Sequence, residues 1–208
     1  MTGIDLFLSK SLSFKIKNKL EPDIQQKLKL NLFKKYGYSI KQSILDFSKF
    51  DEELIKILKS DAVKFEKACM FEILNFEEIK KKSLVMTIKD KSLIKQILEM
   101  VGDKESRKIL EQVAKKPLGV PEILEICELS KTSGYRKINS LNRNGYLVIT
   151  GFELTSKKRA VDKYTMFWEK IMIEMKEGTY IVKIKISMSV FNSSSVVQTI
   201  FKNGLKNY

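Results

Sequence analysis

Apolar residues recur at helical spacing through the first hundred positions, interrupted by short polar stops. Residues 5–19 carry Leu6, Leu8, Leu12, Phe14 and Ile16 ahead of Leu20, a mixed pattern that fits a helix without one clean apolar face. Glu21-Pro22-Asp23 is a sharper start signal, since proline suits the first helical turn and acidic residues suit the positive helix end. Ile24, Leu28, Leu30, Leu32 and Phe33 follow, and the segment stops at Tyr36-Gly37. Ser48 is placed to cap a helix through Phe50, Leu54, Ile55, Ile57 and Leu58. Asp61 is placed to cap the next, whose broad apolar face holds Val63, Phe65, Ala68, Cys69, Phe71 and Leu74. Residues 80–82, all lysine, read as a solvated turn, and the short apolar run 84–88 fits strand or helix. Residues 91–101 return to helical spacing with Leu93, Ile94, Ile97 and Leu98, and Gly102-Asp103 marks a domain boundary.

The pattern changes after that boundary. Asp103 caps a helix over 104–115 with Ile109, Leu110, Val113 and Ala114 on its inner side. Lys116-Pro117-Leu118-Gly119 makes a turn, and Pro121 opens a short helix with Ile123, Leu124 and Ile126. Leu129-Ser130 forms a corner from which Ser130 caps a third helix over 131–143, stopped by Asn144-Gly145. The period then shifts toward alternation. Residues 146–154 and 161–168 flank a turn at 155–160, and 169–175 and 179–188 flank a second at 176–178. Ile171, Ile173 and Met175 alternate, and Ile181, Ile184 and Ile186 nearly alternate with lysines. Residues 193–205, through Val196, Val197, Ile200 and Phe201, read as a weak amphipathic helix.

Composition narrows the class. The 208 residues are 43% apolar and 31% charged, a globular balance that fits one large domain or two small ones. An excess of 39 basic over 25 acidic residues gives a net charge of +14, which draws the chain toward nucleic acid or an anionic surface. No apolar run approaches the ~18 residues of a membrane span and no leader pattern is present, so a cytoplasmic, nucleoid-associated protein is expected, without membrane insertion. Cys69 and Cys127 lie far apart in apolar helical stretches and read as buried small hydrophobes. Histidine is absent, which removes the commonest general base and transition-metal ligand; no catalytic residue, cofactor or metal is expected.

The basic charge is also focused. Between Ser130 and Lys163 there are eight basic residues and two acidic, a net +6 in 34 residues, whereas residues 1–100 spread the same +6 over 20 basic and 14 acidic residues. In the helix over 131–143, Gly134, Ile138 and Leu141 fall at i, i+4 and i+7 and face inward. Lys131, Thr132, Ser133, Tyr135, Arg136, Lys137 and Asn139 then form the outer face, with side chains that reach base edges and phosphates. Lys157, Lys158 and Arg159 sit at the tip of the following hairpin. A basic helix face or a lysine-rich tip alone is ordinarily just solvated. In the order short helix, corner, helix, glycine stop, strand, basic tip, strand, the two support each other as a DNA-binding surface. Gly134 lowers helix propensity by about 1 kcal/mol relative to alanine, and close helix packing accounts for it better than chemistry.

Ser130-Lys131-Thr132-Ser133-Gly134-Tyr135-Arg136-Lys137-Ile138, then Leu141 and Asn144-Gly145-Tyr146-Leu147-Val148, resembles the recognition helix and first strand of archaeal ArsR-like winged helix-turn-helix regulators. Residues 151–164 are similar to their wing. The resemblance implies duplex DNA as ligand and a homodimer; the cysteine and histidine ligands of metal-sensing members are missing. Residues 32–37, 48–50, 54–58 and the helix over 62–74 are similar to the small helical NitrOD-type domain often joined to such winged helices. The expected fold is α+β and mostly α, with a helical bundle over 1–101 that serves dimerisation or output. A winged-helix domain with an extra hairpin follows over 103–188, and then a tail over 189–208. The expected function is transcription regulation through sequence-preferring duplex DNA binding. A protein–protein adaptor that meets transcription machinery through the helical domain is the alternative; RNA binding and catalysis rank below both.

Overall fold

A computed structural model describes residues 2–79, 83–154 and 160–201. They form an α+β protein of two compact units, one comprising the chain up to Ile94 together with the chain from Trp168 onward, the other Lys95–Phe167.

The first unit opens with α1 (Gly3–Lys19), capped by the Thr2 hydroxyl on the Asp5 N–H. Its mixed apolar pattern has a physical cause: Ser9, Ser11 and Ser13 are buried alongside Ile4, Phe7, Leu8, Leu12 and Ile16, while Phe14 is 60% exposed on a stripe with Lys10 and Lys17. Buried hydroxyls need partners. Ser9 Oγ donates to the Leu6 carbonyl at 2.8 Å and Ser11 Oγ to Asp90 Oδ1 at 3.2 Å. α2 (Pro22–Tyr36) ends where expected, on Gly37 at φ 68°. α3 (Ile40–Ser43) leads through a 3-10 turn into α4 (Phe47–Leu58), which starts one residue ahead of Ser48; the Ser48 hydroxyl turns to Asp46 instead of capping. After a second 3-10 turn comes α5 (Ala62–Phe71), which Asp61 precedes without a side-chain cap. The apolar run 84–88 is a strand: β1 (Leu74–Ile79) and β2 (Ser83–Ile88) pair antiparallel. The lysine turn at 80–82 between them lies outside the described residues.

The division between the units falls within α6 (Lys91–Gly102). The second unit continues with α7 (Lys104–Lys115), capped by Asp103, then the short β3 (Leu118–Gly119), α8 (Val120–Ile126), α9 (Lys131–Arg143), β4 (Val148–Leu154) and β5 (Ala160–Thr165). Its sheet has the order β3-β5-β4. Ile109, Val113, Ile123, Ile138, Leu141 and Leu147 make its core.

The chain then returns to the first unit as β6 (Lys170–Lys176), β7 (Thr179–Ser187), α10 (Met188–Ser193) and α11 (Ser195–Ile200). The structure corrects the expectations for these elements. The second hairpin, assigned by sequence to 103–188, joins the N-terminal sheet in the order β1-β2-β7-β6. Leu84, Met86 and Ile88 pair with Ile186, Ile184 and Val182, and all six are buried; a matched apolar face decides the pairing across a hundred intervening residues. The expected helical bundle over 1–101 is therefore a discontinuous α+β unit.

Residues 189–201 are also core, not tail. Val196, Val197, Ile200 and Phe201 are buried, and the Phe201 ring meets those of Phe71 and Phe76 edge-on at 5.8 and 5.6 Å. The weak helix expected over 193–205 is the short α11, separated at Ser194 from α10 before it, and residues 202–205 of that expectation lie outside the described residues. Asp5, 1% exposed, explains the break: it accepts hydrogen bonds from Ser194 Oγ at 2.5 Å, Ser195 N at 3.1 Å and Val196 N at 3.3 Å. One carboxylate on α1 thereby satisfies the open N–H groups at the start of α11.

Candidate nucleic-acid interface

The second unit presents one helix, α9, through a tightly built corner. The Glu122 carboxylate accepts the Gly119 N–H at 2.7 Å at the start of α8, and Pro121 occupies its first turn. Lys163 bonds the same carboxylate, and the two donors hold Glu122 below the usual carboxylate range, Lys163 contributing most. After α8 the chain reverses through Glu128 at φ 54°, with Leu129 N donating to the Leu124 carbonyl at 2.9 Å. Ser130 Oγ then accepts the Ser133 N–H at 3.3 Å and starts α9. Gly134 is the packing residue its sequence position suggests: a Cβ there would lie 1.9 Å from Leu124 Cδ2 and 3.3 Å from Leu129 Cβ. Beyond α9, Gly145 at φ 75° turns the chain, and Tyr146 N donates to the Leu141 carbonyl at 2.8 Å.

The predicted site residues separate into two faces of α9. Lys131, Thr132, Tyr135, Arg136 and Asn139 are exposed, Tyr135 by 46%. Ser133 and Lys137 are half-buried and face α7 instead. Lys137 Nζ lies 2.8 Å from Asp103 Oδ2 and 3.8 Å from Glu105 Oε2, and Ser133 Oγ donates to Glu105 at 3.5 Å. Lys137 follows Ser130 and Ser133 at helical spacing and so shares the side turned to α7. The Lys137 ammonium, the largest influence, and the Ser106 hydroxyl hold Asp103 at a pKa of about 2. Beside this pair opens a cleft of about 240 Å³ lined by Glu99, Met100, Ser140, Asn144 and Tyr146.

Lys163, counted in the basic excess, is tied to Glu122 and Glu153. Arg143 is exposed and continues the outer stripe at i+7 from Arg136; that spacing was readable in the sequence. The outer stripe therefore runs Lys131, Thr132, Tyr135, Arg136, Asn139 and Arg143. Lys157, Lys158 and Arg159 lie outside the described residues.

The hairpin beside α9 carries an apolar face. Its register places Ile149 opposite Tyr164, Phe152 opposite Asp162 and Leu154 opposite Ala160, with a bulge between Ile149 and Gly151. Paired residues share a face, so Ile149, Phe152 and Leu154 lie together, and they are 51%, 67% and 62% exposed. No group of three or more potential metal-ligating Cys, Asp or Glu side chains occurs among the described residues, and none of their helices is long and apolar enough to cross a membrane. No protein-family model, curated protein or solved structure matches the chain.

Proposed function

We propose that the second unit is a winged helix-turn-helix and that the protein is a sequence-preferring, duplex-DNA-binding transcriptional regulator. The observation that carries this reading is the outer stripe of α9, exposed beyond the short helix α8 and its corner. Arg136 offers the fork that reads guanine O6 and N7, Asn139 the amide that reads adenine, and Thr132 a hydroxyl for either. Lys131 and Arg143, at the two ends of the helix, fit phosphates and set register. Lys157, Lys158 and Arg159 belong to the wing of this proposal. Ser133 and Lys137 do not enter the groove in it, because their partners are on α7. One helix covers only a few base pairs, so the proposal includes a homodimer on a two-fold site.

Selection of bound duplexes from a random pool, followed by titration of the winner, tests the reading. Arg136→Ala is expected to cost about 1–3 kcal/mol at one base position, and Arg143→Ala to weaken all sequences alike and lower the salt slope by about 1. Binding indifferent to both salt and Arg136→Ala overturns it. The exposed apolar face of Ile149, Phe152 and Leu154 favours one second reading, a protein–protein adaptor. That reading predicts no enrichment of any duplex at physiological salt.

A further inference from the structure

β6 forms one edge of the four-stranded sheet, and among the described residues no strand pairs with its outer side. Its register with β7 is unbroken from Lys170 to Lys176, and no proline interrupts it. Edge strands of this length are ordinarily blunted by a bulge, a proline or charged side chains, because their open N–H and C=O groups are a template for another chain; β6 has charges of both signs, Lys170, Glu174 and Lys176, and neither bulge nor proline within its register. The turn that follows is of the two-residue kind, with Glu177 at φ 51° and Gly178 at φ 73°. Lys176 and Thr179 are then the closing hydrogen-bonded pair, and alternation directs the backbone groups of Lys170, Met172 and Glu174 to β7. Those of Ile171, Ile173 and Met175 point to the open edge.

The strand is also complementary to itself. Antiparallel pairing about a two-fold axis at Met172 sets Lys170 against Glu174 of the second copy, twice by symmetry, and Ile171 against Ile173 of the second copy. Ile171 and Ile173 use their outward backbone groups in this register, so the ladder is satisfied. Moving the axis to Ile173 sets Lys170 against Lys176 and buries Met172 against Glu174. Charge selects the first register. The faces agree as well: Ile171 and Ile173 lie on the sheet face of their buried partners Ile184 and Val182, yet are half-exposed themselves. On the same face Met175 is 70% and Tyr180 44% exposed. Lys170 and Glu174 lie on the other face, exposed.

We propose that β6 is a self-association edge, on which a second copy of this chain pairs antiparallel about Met172 to continue the sheet. This supplies the two-fold partner that the DNA reading requires, and its test contains no DNA, so either can fail alone. The full chain is examined by sedimentation velocity over a dilution series, with circular dichroism as a check on folding. A dimer is expected. Lys170→Glu or Glu174→Lys alone opposes like charges at both symmetric positions and is expected to weaken it about ten-fold, while the double exchange K170E/E174K restores it. A chain that stays monomeric at high micromolar concentration overturns the proposal. So does a dimer unmoved by the single changes, or a double exchange no tighter than either single.

Discussion

Asp103 Oδ2 accepts the Ser106 N–H at 2.8 Å and faces Lys137 Nζ at the same distance, so one oxygen both caps α7 and anchors α9. A carboxylate held at a pKa of about 2 contributes stability that is complete above its unfolded value near 3.9 and is lost as pH falls through about 2. Acidification across that window is expected to loosen α7 from α9. Asp103→Asn keeps an acceptor for Ser106 but removes the ion pair with Lys137, so the protection of α7 and α9 amides, taken relative to the unfolded chain at each pH, should lose most of its pH dependence there. Gly134 supports a second prediction. Alanine gains about 1 kcal/mol of helix propensity, but its Cβ would meet Leu124 Cδ2 at 1.9 Å, and overpacking costs about 1–3 kcal/mol. Gly134→Ala is expected to lower the urea midpoint of the second unit, and a variant more stable than the parent would show that Leu124 moves aside freely. At this scale the sequence was legible where chemistry is local: Asp103, Ser130 and Gly145 cap or stop helices as their types require. The side of α9 that Lys137 occupies was not legible, because the carboxylates it pairs with, Asp103 and Glu105, stand at the start of α7, two helices earlier.

Elements show the same division. α7, α8 and α9 could be bounded from periodicity and caps because their signals are contiguous. α1 was blurred because serines occupy much of its buried side while Phe14 stands on its exposed stripe between Lys10 and Lys17, and the partner of Ser11, Asp90, lies far along the chain. α11 was read as a weak tail for a related reason: its six residues have little helical preference of their own and are held by Asp5 from far upstream. Asp5→Ala would leave the Ser195 and Val196 N–H groups and the Ser194 hydroxyl without that acceptor in a buried setting. Loss of such a carboxylate cap costs about 2–4 kcal/mol, more than a surface cap does. Increased amide exchange in α10 and α11, together with a lower denaturation midpoint of the first unit, is the expected result. Unchanged exchange there would show that the apolar contacts of Val196, Val197 and Ile200 suffice.

The order of units along the chain was the least legible property, since pairing of β7 with β2 spans the whole second unit. A chain that leaves a unit through α6 and re-enters it at Trp168 makes the folding of that unit depend on its last segment. β7 lies inside its sheet, and α11 with the residue after it supplies Val196, Val197, Ile200 and Phe201 to the core. Residues Lys95–Phe167 close their own core and sheet without that segment. Removing residues 194–208 is therefore expected to act unequally. The first unit should lose protection from exchange in α1, α4 and β2, because burial of four apolar side chains at about 1.5–3 kcal/mol each rivals the whole stability of a typical domain. α7 and α9 should keep theirs, and duplex-DNA affinity per second unit should survive if α9 is the reading element. Peptide-resolved hydrogen exchange on the truncated chain measures both. Uniform loss across the two units would mean that they fold as one cooperative block, and protection kept in α1 would mean that the sheet and the N-terminal helices hold together without α11.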